Sequence, residues 1–148
     1  MKAKVKALLL EALRSGRFKR TTCALQETDI VTNKKGQERE VISYCVVGVL
    51  CELHRVHTKG GEWKDGYYVI NGKRKGYTSL PEEVAKWAGL IKSKSKRNGQ
   101  TVVKYASDIT WIDTDGQEVS VIDLNDNYAR GKGLSFKKIA DLIETNVS

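Results

Sequence analysis

Cys45-Val46-Val47-Gly48-Val49-Leu50-Cys51-Glu52-Leu53 carries one charge in nine residues, and whether it is strand or helix decides the fold. Its valines favour a buried strand, whereas its length through Val56 also permits a buried helix, and periodicity leaves both open. Either way it is core. Immediately before it, Thr21 to Thr32 and Glu38 to Tyr44 alternate roughly in polarity and are joined by Asn33-Lys34-Lys35-Gly36, which predicts a β-hairpin. Further back, residues 2–15 place Val5, Leu8, Leu9, Ala12 and Leu13 on one face, as in an amphipathic helix, and Gly16 is placed to end it.

Downstream, Trp63 to Thr78 predicts a second hairpin, with Tyr67 to Ile70 as a strand, Asn71-Gly72 opening the turn and Lys73-Arg74-Lys75-Gly76 completing a basic tip. Ser79-Leu80-Pro81-Glu82 has capping-box spacing ahead of Val84, Trp87 and Ala88, a short helix that stops at Gly89. Lys92 to Gly99 has no apolar period and reads as an exposed loop. Thr101 to Ala106, Ile109 to Asp113 and Gln117 to Ile122 are strand candidates, the last two joined by Asp113-Thr114-Asp115-Gly116. Phe136, Ile139, Ala140 and Ile143 recur at helical spacing behind Ser135, which predicts a capped C-terminal helix. The expected fold is α+β: one small antiparallel sheet with N-terminal and C-terminal amphipathic helices, in a single domain over 1–148 with an exposed insertion around 92–100.

The chain has a net charge of +8 and a pI near 9.4, which favours an anionic partner, either nucleic acid or a small phosphorylated molecule. No apolar window is long enough for a membrane span, and nothing near Met1 reads as a cleavable leader. The expected protein is soluble, with no membrane partner. Cys23, Cys45 and Cys51 form an odd set without scaffold spacing, which fits free thiols in a reducing cytoplasm.

Chemistry-bearing motifs are sparse. His54 and His57 do not match the paired-ligand spacings of a zinc site and read as two surface histidines, so no metal is expected. The Asp113 turn has its glycine too early for a calcium loop, and Leu124 stands where a ligand would be needed. No phosphate-cradling glycine loop, carboxylate pair or nucleophile elbow is present, so neither an enzyme nor a cofactor is expected.

What remains is a set able to hold a nucleotide: Arg14, Arg17, Lys19 and Arg20 after the first helix, Trp111, and Asn125, Asp126 and Arg130 on a loop ahead of the last helix. Arginines pair with phosphates, an aromatic stacks on a ring, and amides read base or ribose. The same residues also read blandly. Asn125 and Asp126 suit an Asx turn or a cap, Trp111 suits the core, and the basic N-terminal residues suit a solvated face.

Taken in order, Ala12-Leu13-Arg14-Ser15-Gly16, the Cys45 to Leu53 run, Leu80-Pro81 with Trp87-Ala88-Gly89-Leu90, Leu124-Asn125-Asp126, and Leu134-Ser135-Phe136 with Ile139 to Glu144 resemble a family of small bacteriophage proteins. The pattern is similar to that of the anti-Thoeris sponges, which sequester a cyclic ADP-ribose signal without cleaving it. That resemblance implies a non-enzymatic, homo-oligomeric binder of a small phosphorylated signalling nucleotide in the host cytoplasm. It implies a helix over Cys45 to Leu53, a ligand role for Asn125, and a weaker one for Arg20. It also implies that Asn125→Ala weakens binding and spares the fold. Val46 departs from the cysteine expected beside Cys45, and the segment from Lys92 to Gly116 looks like an insertion. The other readings of this composition are a nucleic-acid-binding accessory protein, using Lys73 to Lys75 and Lys92 to Arg97 on phosphates, and an inhibitor of a host protein.

Overall fold

The central run is a helix. In the computed structural model, which describes residues 1–126 and 132–148, α2 spans Val46–Thr58. Cys45 is its N-cap, with Sγ accepting from the Gly48 amide at 3.3 Å, and Lys59 closes it in the left-handed region at φ 55°. Val46, Val47, Val49, Leu50 and Cys51 are all fully buried, so apolar side chains surround the first turns on every side. A helix apolar all round belongs inside a core, and that burial outweighs the strand preference of its valines. Of the two readings left open for this run, the helix is the one that forms.

Two amphipathic helices pack around it as expected. α1 (Ala3–Arg14) buries Val5, Leu9, Leu10, Ala12 and Leu13, and α5 (Phe136–Asn146) buries Phe136, Ile139, Ala140 and Ile143. Ser135 caps α5 by accepting from the Lys138 amide at 3.3 Å, and Gly16 takes up φ 74° just past α1. Arg14 of α1 reaches Asp141 at 2.7 Å and Glu144 at 2.6 Å, fastening the two helices at their exposed edge.

The strands form four small sheets among the described residues, not the one sheet expected. β1 (Lys19–Arg20) runs parallel to β3 (Glu38–Tyr44), which pairs antiparallel with β2 (Gln26–Thr32). β4 (Glu62–Lys64), β5 (Tyr67–Ile70) and β6 (Lys73–Gly76) make a meander, so Lys73 to Gly76 is a strand and the turn is Asn71-Gly72 alone, at φ 51° and 72°. β8 (Gln100–Tyr105) is the strand expected over Thr101 to Ala106, and it pairs with β7 (Ile91–Arg97), which lies where an exposed loop was expected; β9 (Thr110–Ile112) pairs with β10 (Glu118–Ser120). The core is built mainly on helices, with β5 contributing the buried Tyr68, Val69 and Ile70. No sheet is continuous enough to organise the rest.

Two further expectations are corrected. α3 (Glu82–Ala88) starts from Pro81 with no side-chain cap, so the capping box at Ser79 does not form, although Gly89 ends the helix at φ 73° as expected. Val121–Asp126 is a short helix, α4, where the end of a strand and then a loop were expected. Asp108 holds its start by accepting from the Ser120 hydroxyl and from the Ile122 amide at 3.3 Å.

His54 was expected at the surface and is buried. Its ring faces the Tyr68 hydroxyl at 2.7 Å and packs edge-on against Trp87 at 5.4 Å. Burial pushes its pKa below the usual 6.5, partly offset by Glu83. The unfolded chain then takes up this proton before the folded one, so the stability that His54 contributes is complete above pH 6.5 and is lost as pH falls below it. Thermal denaturation should show Tm dropping between pH 7 and pH 5, and His54→Gln should flatten that slope. An unchanged slope in His54→Gln would exclude this histidine as its source.

Candidate functional site

The described part of the candidate set divides into two places. At the first, the end of α4 meets the segment after α1. Asn125 is fully buried; its Nδ2 donates to the Thr21 carbonyl at 2.9 Å and to Asp126 Oδ1 at 2.7 Å. The same Asp126 oxygen accepts from the Cys23 amide at 3.1 Å. Arg20 Nη1 donates to the Asn125 carbonyl at 2.6 Å, and a Cβ on Gly133 would stand 1.6 Å from that carbonyl, so only glycine lets the chain pass there. Asn125 is thus a latch between segments more than 100 positions apart, rather than a free amide on a loop.

Two features of this junction bear on binding. Asn125 Oδ1 is buried and has no hydrogen-bond partner among the described residues. An acceptor left unpaired in the interior costs about 1–3 kcal/mol. Arg20 is partly exposed, and beyond the Asn125 carbonyl its guanidinium has no other hydrogen-bond partner among the described residues. Its fork is therefore aimed by the fold and can take an anion with its remaining N–H groups.

At the second place, Trp111 of β9 lies half-buried against the core and lines an open groove of about 660 Å³. Lys92, Asp108, Glu118 and Ser120 share that lining, whereas Arg17, Arg20, Asn125 and Asp126 do not. Asp108 is occupied structurally: besides its bonds at the start of α4 it accepts from the Ile109 amide at 2.7 Å, and burial raises its pKa.

Of the sequence candidates, then, Arg20, Asn125 and Asp126 come together. Arg17 instead pairs with Glu11 at 2.9 Å on the exposed side of α1, and Trp111 faces the separate groove. Arg130 lies outside the described residues. The junction also recruits Thr21, the Cys23 amide and Gly133, which carry no signal in the sequence because they contribute backbone groups and the absence of a side chain.

The two buried cysteines offer no nucleophile. Burial pushes Cys45 up to about 11 and Cys51 well above its usual range, so neither is a thiolate at neutral pH. Cys23 is exposed and unpaired. Among the described residues no three His, Cys, Asp or Glu side chains gather where they could hold a metal, and no helix is long and apolar enough to cross a membrane.

A family model described as a domain of unknown function, DUF8296, matches residues 1–147. The chain belongs to this family. Neither the curated proteins nor the solved structures contain a match. The family match spans both places just described and states no activity for either.

Proposed function

We propose that this protein is a non-enzymatic phage anti-defence protein that captures a cyclic nucleotide-type immune signal, of the cyclic ADP-ribose class, in the host cytoplasm. What carries the reading is the aimed Arg20 fork held at Asn125, the position that the sponge resemblance singles out. A small ligand gains little from buried area alone, so capture depends on a pre-oriented cation for its phosphates and on donors and acceptors that need no reorganisation. The buried thiols and the absence of a metal-ligand cluster among the described residues offer no cleavage machinery of those two kinds. Trp111 lines a separate groove and does not serve the same pocket within one chain. A homo-oligomer is part of this reading.

Calorimetric titration with cyclic ADP-ribose, alongside linear ADP-ribose, is the direct test. Saturable binding of the cyclic compound is expected, and heating the complex should release that compound unchanged on chromatography. Arg20→Lys should weaken the affinity about tenfold or more, because a point charge cannot replace the planar fork. A ring-opened product would make the protein an enzyme, and no binding heat with either compound would remove the reading altogether.

A further inference from the structure

The hairpin of β7 and β8 buries almost nothing. Every residue of β7 is exposed, and β8 turns only Val103 and Tyr105 partly inward. A two-stranded hairpin open on both sides is marginal in water by itself. This one is closed by Asn98-Gly99 at φ 50° and 77°, the all-positive turn whose twist suits two-residue hairpins, and it is tied to the body where the Ala106 amide donates to the Leu90 carbonyl at 2.9 Å. With seven residues in its first strand, it projects roughly 20 Å at about 3.4 Å per residue.

Its charges all have one sign. From Lys86 to Ser107 the charged residues are Lys86, Lys92, Lys94, Lys96, Arg97 and Lys104, with no acidic residue among them. The register places Lys94 opposite Val103 and Lys96 opposite Thr101 on one face, and Lys104 opposite Ser93 and Arg97 opposite Gln100 on the other. Both faces are therefore cationic. Blunting an open strand edge against aggregation needs only a charge or two. The hairpin of β2 and β3, exposed over its outer part, does it with mixed signs: Glu27, Asp29, Lys34, Lys35, Glu38, Arg39 and Glu40. The contrast within one chain sets the β7–β8 arm apart.

We infer that this arm docks into the major groove of duplex DNA. That groove admits a two-stranded ribbon, and cations on both faces reach the phosphates of both walls. The deep, narrow major groove of duplex RNA does not admit it. Ser93, Ser95 and Gln100 lie between the cations as neutral groups able to hydrogen-bond to phosphates or base edges. This site is separate from the Arg20 junction, and neither reading depends on the other.

The test is fluorescence anisotropy of a labelled 20-base-pair DNA duplex with the full-length protein across a potassium chloride series. Four phosphate contacts imply a slope of about −3.6 in log affinity against log salt, or roughly a 100-fold loss between about 50 and 200 mM. Replacing Lys94, Lys96, Arg97 and Lys104 together by Gln should remove most of that slope and weaken low-salt binding by at least about 50-fold. A control replacing Lys4, Lys34, Lys35 and Arg39 by Gln makes the same change in net charge and should stay within about threefold of the unaltered protein. Circular dichroism and Tm establish that both variants are folded. Equal losses in the two variants, tighter binding to single strands or to duplex RNA, or no binding at low salt would each overturn the inference.

Discussion

Gly48→Ala is expected to lower stability by about 3 kcal/mol. The Cβ it introduces would stand 1.8 Å from the Leu25 carbonyl oxygen and 2.7 Å from its carbon. Both are backbone atoms and cannot rotate away, so α2 and the segment ahead of β2 must separate. That separation strains the Cys45 amide to Leu25 carbonyl bond, now 3.3 Å, and opens a core in which Leu25, Val47 and Val49 are all fully buried. Helix propensity pulls the other way, since alanine is favoured over glycine within a helix by roughly 0.5–1 kcal/mol. The contact should win by a wide margin. In urea denaturation the midpoint should fall with the slope unchanged, and in thermal denaturation Tm should drop by about 10 °C. A midpoint at or above that of the unaltered protein would mean that α2 does not approach Leu25 this closely.

Asn125→Ala is expected to cost about 2–4 kcal/mol, contrary to the sequence-based expectation that it spares the fold. The substitution deletes the donors to the Thr21 carbonyl and Asp126 Oδ1 and leaves a void at a fully buried position. Asn125→Asp should be at least as damaging near neutral pH. It is nearly isosteric, but it removes the same donors and sets a second carboxylate at the 2.7 Å contact with Asp126. Acid should partly restore that variant, since protonating either carboxyl relieves the repulsion and supplies one donor. Urea denaturation of the three proteins at pH 7 and pH 4.5 separates these outcomes. Wild-type stability in both variants would show that the latch carries no weight. Loss of ligand binding in Asn125→Ala would be ambiguous, because a weakened junction also releases Arg20. Arg20→Lys therefore provides the cleaner reading of the pocket.

Much of the secondary structure was legible because its signals are local. The helices α1 and α5 announce themselves through apolar residues at helical spacing, bounded by Gly16 in one case and Ser135 in the other. The turns at Asn33 to Gly36, Asn71-Gly72 and Asp113 to Gly116 likewise follow from residues that tolerate the turn conformation at the turn itself. β7 was missed as a strand because its lysine and serine alternation contains no apolar period, and cross-strand hydrogen bonds to β8 supply what the side chains do not signal. His54 was misplaced because one polar residue on an apolar helix looks the same whether Tyr68 and Trp87 cover it or not.

By itself the sequence determined the class of fold, the two terminal helices and the net positive charge. Each depends on residue identity or on neighbours within a few positions. Only the tertiary structure decided that Cys45 to Leu53 runs as a buried helix, that Arg20 and Asn125 meet while Arg17 and Trp111 point elsewhere, and that the amide at 125 is spent on holding Thr21. The contacts of Asn125 with Arg20 and Thr21 join segments about a hundred residues apart, and burial of the Cys45 to Leu53 run outweighs the local preferences that its sequence displays.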